Sequence, residues 1–157
     1  MVEEKKKWKR EISAGGLVYK REKGKIFVLL ILKKPWRRND KKDIWTYPKG
    51  RIDGEEKLEE TAVREVREEA GVVGQIEEKL GSVKFTFTWE GENIFKIVTY
   101  YLMKYVSGDP SGHDYEVAEA KWFELSEAEK FLTYKADKET FEKARSILNL
   151  IQDPLQN

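Results

Sequence analysis

Residues 50–72 read GRIDGEEKLEETAVREVREEAGV, and this stretch determines how the rest of the chain is interpreted. Apolar side chains recur there at every fourth position, at Leu58, Ala62, Val66 and Ala70. That spacing predicts a helix over residues 57–70 with one face in the core. Gly71 follows at the position where a glycine commonly ends a helix.

Three acids, Glu65, Glu68 and Glu69, follow one another on this predicted helix. Carboxylates three and four residues apart project from neighbouring points on one side of a helix. At such distances they repel each other unless a cation lies among them, which indicates a site for a hard metal such as Mg²⁺. Taken alone, the same residues could equally form a solvated, charge-rich helix face.

The chain has 157 residues, and we expect one domain over residues 1–157. Its 30 basic and 29 acidic side chains leave a formal charge of +1, so no stable nucleic-acid partner is expected. The absence of cysteine excludes disulfides and thiolate metal sites. Residues 26–32 form the longest apolar run and are too few to span a membrane. We therefore expect a soluble cytoplasmic protein, and no oligomeric state is predicted.

The remaining pattern predicts strands separated by turns, with helices near the end of the chain. Alternating or continuous apolar runs place the strands at residues 12–19, 25–32, 44–47, 81–89, 94–105 and 120–125. A short helix is expected near Ser126 and a last helix over residues 138–151. Gly50 is expected to permit a sharp turn after Pro48. This order indicates an α/β protein with a mixed sheet covered on both sides.

Residues 50–72 resemble the signature of the Nudix hydrolases, G-x₅-E-x₇-R-E-U-x-E-E-x-G-U, where U is a bulky aliphatic residue. All nine specified positions match without a change in spacing, namely Gly50, Glu56, Arg64, Glu65, Val66, Glu68, Glu69, Gly71 and Val72. A chance match of this kind is very improbable. The resemblance implies the Nudix α/β/α sandwich with a mixed β-sheet over nearly the whole chain.

The resemblance also implies an activity, the hydrolysis of a nucleoside diphosphate linked to another group with the help of Mg²⁺ or Mn²⁺. It assigns Glu65 and Glu69 as the main metal ligands and Glu68 as a ligand or base, with a backbone carbonyl near Lys49 or Gly50. Physical reasoning agrees, because a phosphoanhydride needs its negative charge neutralised and a water molecule activated.

The resemblance gives the remaining matched positions of the motif a supporting role. Arg64 is expected to pair with Glu56 and to hold the loop against the helix, a task suited to a bidentate guanidinium–carboxylate contact. Gly50 and Gly71 complete this structural support.

A further acid is expected outside the motif. Nudix proteins often place one in the loop that here reads EVAEAKW, so Glu116 is a candidate metal ligand or general base, and Glu119 is a weaker substitute. Each could also be an ordinary exposed loop acid. His113, the only histidine, is expected to be a solvated loop residue at the same end as Glu116.

Residues 45–50 read WTYPKG, which resembles the W-x-x-P-K-G stretch of asymmetric diadenosine tetraphosphate hydrolases. By that resemblance Lys49 and Lys96 bind phosphates, whereas Tyr134 stacks on adenine. Phe87 or Trp89 could form the opposite wall of such a clamp. The alternatives are that Phe87 and Trp89 belong to the core, that Tyr134 packs on the last helix, and that Lys96 is solvated.

A basic loop follows the second predicted strand, with Lys33, Lys34, Arg37, Arg38, Lys41 and Lys42. It could steer a polyanion or be an ordinary solvated loop. The predicted reaction is the cleavage of diadenosine tetraphosphate to ATP and AMP. Two other enzymes stay open, a pyrophosphatase for oxidised dGTP or other NTPs and an RNA 5′-pyrophosphohydrolase. A sensor that binds nucleotide without cleaving it is the alternative outside the enzymes.

Overall fold

The computed structural model describes residues 8–34 and 43–150. The strands are β1 (Trp8–Glu22), β2 (Lys25–Lys33), β3 (Ile44–Thr46), β4 (Lys49–Arg51), β5 (Val72–Trp89), β6 (Glu92–Gly108) and β7 (Val117–Glu124). The helices are α1 (Leu58–Ala70), α2 (Leu125–Phe131) and α3 (Lys135–Leu150), and one 3₁₀ turn covers Pro110–Gly112. Within the described ranges, no helix combines the length and the apolar character that crossing a membrane requires.

The strands form a mixed sheet. Its main order is β3-β2-β1-β6-β5, with β4 paired to β1 and β7 paired to β2. The pair β1–β6 is parallel, from Trp8 opposite Asn93 to Tyr19 opposite Lys104, and the other pairs are antiparallel. The predicted mixed sheet is therefore confirmed.

Helices cover both faces of this sheet. Because neighbouring strand residues point to opposite faces, Val18 packs towards α1 whereas Leu17 packs towards α2 and α3. On the α1 side the core includes Ala14, Leu29, Ile31, Ala62, Val66 and Ala70. On the other side it includes Leu30, Tyr100, Ala128, Phe141, Ala144 and Leu148. This arrangement is the expected α/β/α sandwich.

Helix α1 agrees closely with its prediction. It begins one residue later than residue 57 and ends at Ala70. Gly71 then adopts φ 73°, in the left-handed region, and its N–H donates to the carbonyl of Arg67. The C-terminal end of α1 is thus fixed, and this determines where the acidic side chains near that end project.

Several local predictions differ from the structure, three of them in ways that matter for the site. Strand β5 begins at Val72 rather than at residue 81, because register shifts between Val73/Gly74, Ile76/Glu78 and Lys79/Gly81 break the alternation of its first half. Gly50 does not form a turn, since it lies in β4 opposite Ala14. Helix α3 begins at Lys135 rather than at residue 138, and the predicted final residue, 151, lies outside the described residues.

Candidate active site

The three acids of α1 lie along the edge where this helix meets β4. The backbone N–H of Lys49 donates to Oε2 of Glu69 over 3.1 Å. The carboxylate of Glu65 lies against the α-carbon of Gly50, and its side chain is only 12% exposed. Glu68 lies further out, with its side chain 52% exposed. We refer to Glu65, Glu68 and Glu69 as the acidic edge.

Gly50 is required for space. It is an extended residue of β4, and a β-carbon added to it would overlap the carboxylate of Glu65. The glycine therefore allows the strand to approach the helix closely enough for the Glu65 carboxylate to rest on its backbone. Sequence reasoning found the position but assigned it to a turn.

Arg64 and Glu56 form a bidentate ion pair. Nε of Arg64 donates to Oε2 of Glu56 and Nη2 donates to Oε1, each over 2.8 Å. Nη2 also donates to the carbonyl of Arg51 over 2.9 Å, and Glu56 accepts from the N–H of Asp53. The hydrogen bonds from Arg64 lower the pKa of Glu56 to about 2. This pair joins the loop after β4 to the middle of α1.

The same guanidinium also contacts two members of the acidic edge. Nη1 of Arg64 donates to Oε1 of Glu65 over 2.8 Å and to Oε2 of Glu68 over 3.1 Å. Across residues 8–34 and 43–150, no three acidic or histidine side chains are gathered closely enough to form a ready metal cluster. The reason is visible in these contacts, because Glu65 and Glu68 face Arg64 whereas Glu69 faces the N–H of Lys49.

The electrostatics of the acidic edge fit a divalent cation. Burial raises the pKa of Glu69 to about 7, and burial also raises the pKa of Glu65 above its ordinary value. Both shifts mean that ionised carboxylates are costly here, so a cation beside them would be stabilising. Carboxylate oxygens are the ligands that hard divalent ions prefer.

Glu116 lines the same cleft as Glu69. This cleft has a volume of about 520 Å³, and we call it the acidic cleft; its lining is Ile31, Lys33, Lys34, Glu69, Tyr115, Glu116 and Val117. The N–H of Asp114 donates to the carbonyl of Glu68 over 3.0 Å, which holds the Glu116 loop against α1. The predicted further acid is thus brought to the acidic edge, although its role stays a prediction.

The aromatic residues predicted to bind a base share a second cleft of about 550 Å³, which we call the aromatic cleft. Phe87 and Tyr134 line it with side chains that are 41% and 38% exposed, and Trp89 and Lys96 line it as well. Val83 and Phe85 on the same strand pack against the core. The alternation of β5 is therefore a core pattern as far as Phe85, and beyond it Phe87 is exposed.

Lys49 takes a position that its sequence did not reveal. The residue is only 7% exposed, and Nζ lies 3.5 Å from Oγ1 of Thr46, which in turn donates to Oδ2 of Asp137 over 2.7 Å. Burial lowers the pKa of Lys49 to about 7. The Lys49 side chain thus ends beside Thr46, and its predicted contact with phosphate stays untested.

Sequence reasoning missed Thr46 and Asp137. Asp137 is fully buried in the first turn of α3, and its Oδ1 has no hydrogen-bond partner among the described residues. Acids are common in the first turn of a helix. Asp137 could therefore have indicated that the last helix begins before residue 138.

His113 and Glu119 lie elsewhere. Both line a separate cleft of about 620 Å³ together with Lys20, Tyr105 and Trp122. Nδ1 of His113 is 2.8 Å from the carbonyl of Asp114. His113 and Glu116 thus line different clefts, and the expectation that they face the same end of the fold stays a prediction. The predicted basic residues Arg37, Arg38, Lys41 and Lys42 lie outside the described residues.

Comparison with known proteins gives a family match over most of the chain. The NUDIX domain matches residues 9–144. A bis(5′-nucleosyl)-tetraphosphatase [asymmetrical] of Caenorhabditis elegans is 32% identical over 123 residues, which are 78% of this chain and 85% of that protein. A crystal structure of a C. elegans Ap4A hydrolase binary complex has a TM-score of 0.72 at 28% identity, covering 90% of this chain and 99% of that one.

A second curated relative is a Mycobacterium tuberculosis protein named "Putative mutator protein MutT4". It is 36% identical over 109 residues, which are 69% of this chain. The chain spans only 44% of the length of that relative.

Proposed function

Because the chain belongs to the Nudix family, we propose that it is a magnesium-dependent pyrophosphohydrolase that splits diadenosine tetraphosphate into ATP and AMP. Nudix hydrolases act on phosphoanhydride bonds and generally use divalent metal ions. We propose magnesium as the metal, with manganese as a substitute, and diadenosine tetraphosphate as the substrate.

One observation carries the proposal, namely that the acidic cleft, which Glu69 lines, and the aromatic cleft share the lining residues Lys33 and Lys34. Phe87, Trp89 and Tyr134 offer flat faces on which an adenine can stack, and Lys96 provides a positive charge for phosphate. A nucleotide bound in this cleft would extend its phosphates towards Glu69. The WTYPKG sequence and the similarity to a C. elegans asymmetrical tetraphosphatase support the same substrate.

We assign the metal to Glu65, Glu68 and Glu69, with Glu116 as a further ligand or base. When bound, the ion would neutralise phosphate oxygens and make water a better nucleophile. Arg64 would keep the acids in register through its pair with Glu56. Glu68 or Glu116 would accept the proton of the attacking water, since Glu68 belongs to the acidic edge, Glu116 lines the acidic cleft, and both residues are exposed.

Each side chain predicted to bind substrate has a distinct part in this proposal. Tyr134 and Phe87 or Trp89 would hold one adenine between them, and Lys96 would neutralise the adjacent phosphate. Lys49 would act as the second phosphate-binding charge if its side chain turns towards the substrate. The expected cytoplasmic location and the single domain over residues 1–157 stay predictions.

Product analysis over a panel of nucleotides tests the proposal. The purified protein, with Mg²⁺ and then with Mn²⁺, should convert diadenosine tetraphosphate to equal amounts of ATP and AMP, measured by chromatography. ADP as the only product, or no cleavage of any dinucleotide, would contradict it. The variant Glu69→Gln should keep its fold and lose turnover.

A second candidate is a pyrophosphatase that removes oxidised nucleotides, favoured by the 36% identity to a relative named as a mutator protein. Efficient release of pyrophosphate from 8-oxo-dGTP in the same panel would support it. Release of pyrophosphate from triphosphorylated RNA ends would indicate the RNA enzyme instead. Tight calorimetric binding of nucleotide without hydrolysis would indicate a sensor.

A further inference from the structure

Lys33 lies at the junction of the two clefts. It is the last residue of β2, and it lines both the acidic cleft and the aromatic cleft. Its backbone is held from both sides, since it pairs with Ile44 of β3 and with Val117 of β7. The pairing with β7 shifts register between Leu32 and Lys33, which places this residue at a bulge at the end of the strand.

Within residues 8–34 and 43–150, no carboxylate lies close enough to Lys33 to form an ion pair with it. The charge of Lys33 acts on Glu69 of the same cleft only from a greater distance. The neighbouring cations are already engaged, because Arg51 pairs with Glu11 and Lys34 donates to the carbonyl of Tyr115. Lys33 thus retains ammonium donors for a ligand.

Lys33 also adds to a local excess of positive charge. The pKa of Lys96 is lowered first by burial and then by the charge of Lys33. Two cations that repel each other in one concave site are stabilised by an anion placed between them. Lys33 and Lys96 line the same aromatic cleft, so the favoured ligand there carries more than one negative charge.

We propose that Lys33 binds the interior of the substrate's phosphate chain and makes the enzyme prefer dinucleotides with longer chains. This inference rests on the proposed function. A substrate with its base in the aromatic cleft and a phosphate at the acidic edge passes Lys33 and Lys34, the two described residues that line both clefts. A longer chain places more phosphate oxygens beside Lys33 than a shorter chain does.

The test is a series of substrates against three variants. Values of kcat/KM for diadenosine tri-, tetra- and pentaphosphate should be measured for Lys33→Met, Lys33→Gln and Lys33→Arg. The first two should lose about 10- to 100-fold on the tetra- and pentaphosphates, the value of a charged hydrogen bond, and no more than about threefold on the triphosphate. Lys33→Arg should restore most of the activity because it keeps the charge.

Lys84→Met is the matched control. Lys84 is an exposed strand residue of β5 that lines neither cleft, and its loss removes the same charge from the protein. It should change kcat/KM by less than about twofold for every chain length, as expected for an exposed surface site. Calorimetry with non-hydrolysable methylene-bridged analogues should repeat the pattern in Kd, and thermal melting should show that the Lys33 variants are folded.

The possible outcomes distinguish a failure of the proposed function from a failure of the inference about Lys33. Wild-type protein that cleaves no dinucleoside polyphosphate overturns both the proposed function and this inference. Wild-type protein that cleaves them, together with a Lys33→Met loss that is absent or equal at all chain lengths, overturns the inference alone. An equal loss in Lys84→Met also overturns it, because the effect would then be general charge attraction.

Discussion

Replacing Glu69 with glutamine should stabilise the metal-free protein at pH 8 and remove its response to magnesium. Burial raises the pKa of this carboxyl group from the ordinary value of 4.5 to about 7. The folded state therefore holds a proton that the unfolded state releases between these two values. By linkage, the stability of the wild-type protein falls as the pH rises from about 4.5 to about 7, and the full cost persists at higher pH.

The size of the effect follows from the two pKa values. A difference of 1 in pKa corresponds to about 1.4 kcal/mol, so the cost above pH 7 is at most about 3.5 kcal/mol. Glutamine carries no charge and can still accept the N–H of Lys49 through its amide oxygen. The melting temperature of Glu69→Gln should be about 3–10 °C above that of wild type at pH 8 and equal to it near pH 4.

Differential scanning fluorimetry from pH 4 to pH 8, with EDTA and then with Mg²⁺, measures both effects. Added Mg²⁺ should raise the melting temperature of the wild type and leave that of Glu69→Gln unchanged. Glu68→Gln is the control, because its side chain is 52% exposed and remains hydrated, so it should gain no stability at pH 8. A Glu69→Gln protein that is no more stable than wild type at pH 8, or equally more stable at both ends of the range, would refute this account.

Three further substitutions test separate parts of the site. Gly50→Ala should displace the Glu65 carboxylate and reduce kcat at saturating Mg²⁺ about 100-fold with an unchanged circular dichroism spectrum; near-normal kcat would contradict the close contact. Tyr134→Ala should raise KM for the dinucleotide about 5- to 100-fold through lost stacking, whereas Tyr134→Phe should stay within about twofold; equal effects would exclude stacking. Asp137→Ala should lower the free energy of unfolding by about 1–3 kcal/mol in urea, because it leaves the buried hydroxyl of Thr46 without its acceptor; an unchanged midpoint would rule this out.

The local features of the fold were readable from the sequence. Helix α1 was predicted within one residue, because its four-residue spacing and its closing glycine are both local signals. The first half of β5 was not, since three register shifts remove the alternation on which a strand prediction depends.

The candidate site divides in the same way. The positions of Glu65, Glu68 and Glu69 follow from helical spacing, which predicts that they share an edge. The buried position of the Lys49 side chain depends on Thr46 and Asp137, whose hydrogen bond joins residues 91 positions apart in sequence. The spacing of apolar residues in a sequence gives no information about such a long-range contact. The close approach of the Glu65 carboxylate to Gly50 is likewise a property of two packed elements.

The guanidinium of Arg64 gives the metal-free enzyme a counter-ion of its own. It already neutralises two of the acids that we assign to the metal, while its pair with Glu56 anchors it to the loop. The fold therefore does not depend on a bound metal ion to offset the repulsion between these carboxylates. An arriving ion has to compete with an internal cation that cannot diffuse away, and the affinity of the site for metal is lowered by that competition.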